Sequence, residues 1–143
     1  MSRPISGSRT PLHPFFVGLG GALLIAALFT DYMYASNSLS QWANFSVWLI
    51  TGGLVLALIA TIFLVIDVAL GRAGAIRWLD FRLIVAAAIL SLVNVFVHTR
   101  DAWTSVVPTG ITLSTIVAIL LVAAGLRGWC LTAAKCAERG ERQ

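Results

Sequence analysis

The chain has 143 residues, 59% of them hydrophobic and 11% charged, with a formal net charge of +4. A soluble domain carries roughly 25% charged residues, so this composition excludes a water-covered globule and makes a membrane its solvent. The basic residues do not interleave with aromatics on one polar face, which excludes a nucleic-acid-binding surface.

In chain order, apolar stretches of membrane-spanning length predict four helices, at about 15–34, 45–68, 82–99 and 106–130, forming one membrane domain over 1–143. Strands are not expected, because no segment alternates apolar and polar residues as a membrane barrel does. Water is absent from hydrocarbon, so each backbone must satisfy its own N–H and C=O groups as a helix. The expected fold is therefore all-α, an integral membrane four-helix antiparallel bundle with short connections.

The first span opens on "TPLHPFF", with Pro11 and Pro14 on either side of His13. Proline suits a first helical turn, where its missing N–H is not needed. His13 is thus placed at the lip of the span, as an interfacial histidine or as a ligand or proton-transfer group. The apolar run that follows is long for a cleaved signal peptide, so it is expected to stay as a span. It ends on Asp31.

The second span is "SVWLITGGLVLALIATIFLVI", from Ser46 to Ile66, followed by Asp67. The third carries Ser91, Asn94 and His98 at positions i, i+3 and i+7, one helical face. Polar residues at membrane depth face protein or water. This face either cross-links helices or lines a polar pocket. Asp31 and Arg100 are expected to pair between spans one and three at the same rim. Arg72, Arg77 and Arg82, between spans two and three, read as anchors to lipid headgroups.

Lys and Arg in short loops set orientation. Arg3, Arg9, Arg72, Arg77, Arg82, Arg127, Lys135, Arg139 and Arg142 fall on one side, and Arg100 alone on the other. Both termini are therefore expected in the cytoplasm. Trp42, Trp48 and Trp103 fit an outer aromatic belt, Trp78 and Trp129 an inner one. Small residues at four-residue spacing (Ala22, Ala26, Thr30; Gly53, Ala57, Thr61; Ala124, Gly128, Thr132) supply smooth ridges for helix packing.

Cofactor chemistry is thinly represented. His13 and His98 are separated by the membrane, roughly 25 Å. They cannot be the two axial ligands of one haem within a single chain. Haem b or a quinone at one rim is left open, with any second ligand from another copy or subunit. Cys130 and Cys136 have neither disulfide nor zinc spacing. No catalytic motif is present, and no metal site is expected.

"PLHPFF", Asp31, Trp48, "GGL" at Gly52 to Leu54, Ile66–Asp67, Asn94, Arg100 and "GLRGWCLTAAKCAERG" together resemble the family catalogued as domain of unknown function 2231, over nearly the whole chain. The resemblance implies a small four-span bacterial membrane protein. It also implies an accessory or anchor role, sometimes beside iron–sulfur or quinoprotein dehydrogenases. The chain departs from the family's HPxHP start, with Thr10 in place of the first histidine. Glycines stand where a proline is common in span one, and Arg82 lies near a position often held by histidine. Those departures weaken an inherited ligand role. The expected function is a non-catalytic accessory or anchor subunit of a membrane redox, respiratory or photosynthetic complex. The alternatives are a haem b or quinone electron-transfer subunit and an oligomeric transporter. Expected partners are membrane lipid and other membrane subunits or further copies of the chain.

Overall fold

The computed structural model describes residues 11–99 and 106–133. Four helices follow one another: α1 (His13–Asn37), α2 (Ser40–Ala69), α3 (Trp78–His98) and α4 (Thr109–Leu126). All four are long and apolar enough to cross a membrane. They pack in a ring, α1 on α2, α2 on α3, α3 on α4 and α4 on α1. This is an all-α, up-down-up-down bundle and a multi-pass membrane protein. Its two ends are called here the His13 end and the His98 end.

The helices outrun the apolar stretches. With 25 residues α1 is about 37 Å long, and with 30 residues α2 is about 45 Å, against a hydrocarbon core of roughly 30 Å. Their polar tips, including Ser36, Asn37, Ser40 and Gln41, continue the helices into the headgroup layer, where water can solvate them. The connection expected over about 35–44 shrinks to Ser38 and Leu39. Ser38 turns left-handed (φ 57°), and its N–H donates to Tyr34 O at 2.8 Å.

Each helix buries one narrow stripe. On α1 it is His13, Val17, Gly20, Leu24, Ala27, Asp31 and Tyr34. On α2 it is Ser46, Ile50, Gly53, Ala60 and Asp67. Both repeat at close to seven residues, the seam of a bundle. Gly20 and Gly53 form the closest approach. A Cβ on either would meet the other's carbonyl oxygen at 3.1 Å, so only glycine lets the two backbones come this near. On α1 the packing ridge is not the one expected: Ala22 is exposed and Ala26 half-buried. Between the ends lies an apolar core of Leu24, Ala27, Ile50, Ala87, Val117 and Leu121.

α4 stops at Leu126, short of the expected 130, because Gly128 and Trp129 both take positive φ (97° and 58°) and turn the chain back. The segment after the turn pairs with the α2–α3 loop. Arg77 N–H donates to Leu131 O at 2.9 Å, and Ala133 N–H to Ala75 O at 3.0 Å. The turn drives the Trp129 ring between α1 and α4. A Cβ on Gly21 or on Gly125 would come within 2.7 Å of that ring. Trp129 is thus a packing wedge rather than a member of an aromatic belt, whereas Trp78 is 61% exposed and free to face the interface.

Candidate functional site

At the His98 end, one polar residue or more from each helix converges on a single carboxylate. Asp31, in the last third of α1, is fully buried. Ser46 of α2 donates its hydroxyl to Asp31 Oδ1 at 2.5 Å, and Ser114 of α4 donates to Oδ2 at 2.5 Å. His98 of α3 brings Nε2 to 2.9 Å from Oδ1. Asn94 donates through Nδ2 to Ser114 Oγ at 2.8 Å, extending the cluster by one more link.

The protons follow from donor and acceptor rules. His98 Nδ1 lies 3.0 Å from the Asn94 carbonyl, one turn back on the same helix. A carbonyl only accepts, so Nδ1 carries a proton. One further proton lies along the line between Nε2 and Asp31. On either atom it leaves the pair with no net charge, so no unpaired charge is buried. Both ring nitrogens of His98 are thereby engaged, and neither is open to a metal or haem.

The opposite end has a second histidine–carboxylate pair. His13 is fully buried, and its Nδ1 lies 2.9 Å from Asp67 Oδ2. Leu12 N–H donates to the same oxygen at 3.2 Å. The Asp67 carbonyl accepts from the backbone of Arg72 and Ala73, fixing the end of α2 over the pair. His13 Nε2 has no hydrogen-bond partner among the described residues. A carboxylate on one ring nitrogen with the other nitrogen open is how proteins orient a metal-binding histidine. Yet among the described residues no group of three or more His, Cys, Asp or Glu side chains could hold a metal.

A third buried carboxylate, Asp80 at the start of α3, joins this end to α4. Arg127 Nε pairs with Asp80 Oδ1, and Arg77 Nε lies 2.8 Å from Oδ2. Arg77 also donates to Arg127 O at 3.3 Å.

Set against the sequence expectations, the polar face of α3 points inward as a unit, with Ser91, Asn94 and His98 all buried. Ser91 returns its hydroxyl to Ala87 O at 2.8 Å and takes no part in the cluster. Asp31 does bridge span one to span three, but through His98. Both its oxygens are occupied by Ser46, Ser114 and His98, and Arg100 lies outside the described residues. Of the three expected lipid anchors, Arg77 is instead committed to Asp80, Arg72 is half-buried and Arg82 is exposed. Cys130 is buried, and Cys136 lies outside the described residues. Ser46 and Ser114 were not singled out from the sequence. The available signal was their place on the buried seven-residue stripes of α2 and α4.

Compared with known proteins, residues 9–136 match the model of a family described as "Predicted membrane protein (DUF2231)". No curated protein and no solved structure matches.

Proposed function

The chain belongs to the DUF2231 family of predicted membrane proteins, and on that premise we propose that it is a non-catalytic accessory or anchor subunit of a larger membrane assembly. The proposed setting is a bacterial inner membrane, with both termini in the cytoplasm. The arginine asymmetry supports that orientation, since the connections and tails at the His13 end carry nearly all the Lys and Arg.

One observation carries the role. Apart from His13 Nε2, the histidine and aspartate pairs at each end bind groups of the bundle itself, and an apolar core fills the space between them. A conduction path needs polar or wet side chains in continuous relay, and a hydrolytic or transfer site needs an accessible nucleophile or acid–base pair. What remains outward is apolar surface. α2 exposes Trp48, Val55, Leu58, Ile62 and Val65 along nearly its whole length. That surface suits lipid or a neighbouring membrane helix.

The test places a photo-crosslinking amino acid at Leu58 or Ile62 in native membranes, with the exposed Ile119 of α4 as a control position. The expected result is a discrete adduct with one larger membrane protein from α2 and not from α4. Adducts only with lipid, or equal labelling from both positions, overturn the reading.

One observation favours a second reading. The open, buried Nε2 of His13, oriented by Asp67, has the donor geometry of a haem or metal ligand. A Soret band in the purified protein, lost in His13→Ala and kept in His98→Ala, would establish electron transfer in place of a purely structural role.

A further inference from the structure

A cavity of about 160 Å³ lies between α2 and α3 in the half of the bundle nearer His13, and α1 closes its inner wall with Val17, Gly20 and Leu24. Gly53, Ala57 and Ala60 line it from α2, and Ala88 from α3, while Thr61 and Val85 stand exposed at its mouth. It exists because small side chains fill the seam where α2 and α3 pack less closely than their neighbours do. Along α2 the lining runs from Gly53 to Leu64, a slot about 16 Å long at 1.5 Å per residue.

The slot is lined by aliphatic side chains, glycines and the ring of Phe81, with Thr61 its one polar residue. Its one hydroxyl, on Thr61, donates to Ala57 O at 2.9 Å and offers nothing to a ligand. An apolar cavity of this size does not hold water. A quinone ring or a sugar would leave its own polar atoms without partners there. A hydrocarbon chain would not.

The headgroup is indicated by charge. Arg82 lies in the first turns of α3, three residues before Val85, and so about one helical turn from the mouth toward the membrane surface. It is exposed and makes no ion pair among the described residues. Nearby Arg77 is committed to Asp80, which leaves Arg82 as the cation facing outward beside the slot.

We propose that this crevice is a binding site for one anionic phospholipid, with an acyl chain lying between α2 and α3 and the phosphate held by Arg82. The proposal is independent of the accessory role, since a lipid site is compatible with any partner. The occupant is a lipid of the surrounding leaflet that enters sideways from the bilayer.

The test reconstitutes the full chain in nanodiscs with phosphatidylglycerol or phosphatidylcholine that carries a photoactivatable acyl chain. Adducts are then mapped by mass spectrometry. The expected result is labelling concentrated at Thr61, Val85 and Ala88. Phosphatidylglycerol should be favoured over phosphatidylcholine by about fivefold, the size of one basic residue's attraction to an anionic surface. Arg82→Gln should abolish that preference and keep the labelling pattern. Ala88→Leu, which narrows the slot, should remove the labelling. Since Ala88→Leu also alters packing, Arg82→Gln, an exposed change, tests the headgroup independently. Equal labelling by the two lipids, labelling spread evenly over Leu58 and Val65 on the outer face of α2, or displacement by a quinone analogue but not by excess phosphatidylglycerol would each overturn the proposal.

Discussion

His98 Nε2 lies 2.9 Å from Asp31 Oδ1, across 67 residues of sequence and from α3 to α1. Around this pair the four helices share one buried point of registration. Rotating or sliding any helix by a residue would pull a hydroxyl or an imidazole off the carboxylate. Hydrocarbon offers no replacement donor, so the cluster defines the bundle's arrangement more sharply than apolar packing could.

Breaking the pair should therefore be costly from either side. Asp31→Ala leaves His98 and two serine hydroxyls without their acceptor, and His98→Ala leaves the carboxyl group of Asp31 without its imidazole partner. Each is expected to destabilise by about 3–5 kcal/mol. The double variant should lose markedly less than the sum, because it removes the stranded partner as well as the bond. Unfolding titrations in mixed detergent micelles measure the four corners of this cycle. Strict additivity would show that the two side chains are not coupled.

The two serines should not be equivalent. Ser46→Ala removes one donor from Oδ1, which keeps His98 as a partner. Ser114→Ala removes a donor from Oδ2 and also the acceptor of Asn94 Nδ2. Leaving a buried polar group unmade costs about 1–3 kcal/mol. Ser114→Ala is accordingly expected to be the more destabilising, by about one such unit, in the same unfolding assay. The opposite order would mean that the link from Asn94 carries no weight.

The tryptophan wedge makes a steric prediction. In Gly21→Ala the new methyl would come within 2.7 Å of Trp129 ring carbons, a separation real Cβ atoms do not adopt. Overpacking of this kind costs about 1–3 kcal/mol. In a Trp129→Ala background the same glycine change should be nearly neutral, or slightly favourable through helix propensity. Melting temperatures of the two singles and the double decide the matter. An equal penalty in both backgrounds would place the clash elsewhere.

The sequence carried the spans and the inward face of α3 clearly, because both are local patterns. An apolar run of membrane length and a polar triplet at i, i+3 and i+7 need no knowledge of what lies opposite. The partners of Asp31 were not legible in the same way. Ser46 and Ser114 are uncharged, and only the bundle's geometry distinguishes them from any other membrane serine. Arg100, expected to pair with Asp31, lies outside the described residues, whereas His98, Ser46 and Ser114 reach the carboxylate from the inward faces of their helices. The packing ridge of α1 was misread at Ala22 and Ala26 because spacing alone fits several faces of one helix. What selects among them is the glycine contact with α2, which is tertiary. Trp129 was read as an interfacial anchor because tryptophan near a span's end is commonly one. Two positive-φ residues in succession redirected it inward.

The return of the chain after α4 has a bearing on biogenesis. Residues 128–133 are synthesised after all four helices, yet the Trp129 ring fills the gap between the first and fourth helices and the segment's backbone holds the loop between the second and third. Four spans without the docked Trp129 ring therefore leave a gap between α1 and α4, flanked by Gly21 and Gly125. The bundle is therefore closed from its carboxyl side, when Trp129 docks against Gly21 and Gly125.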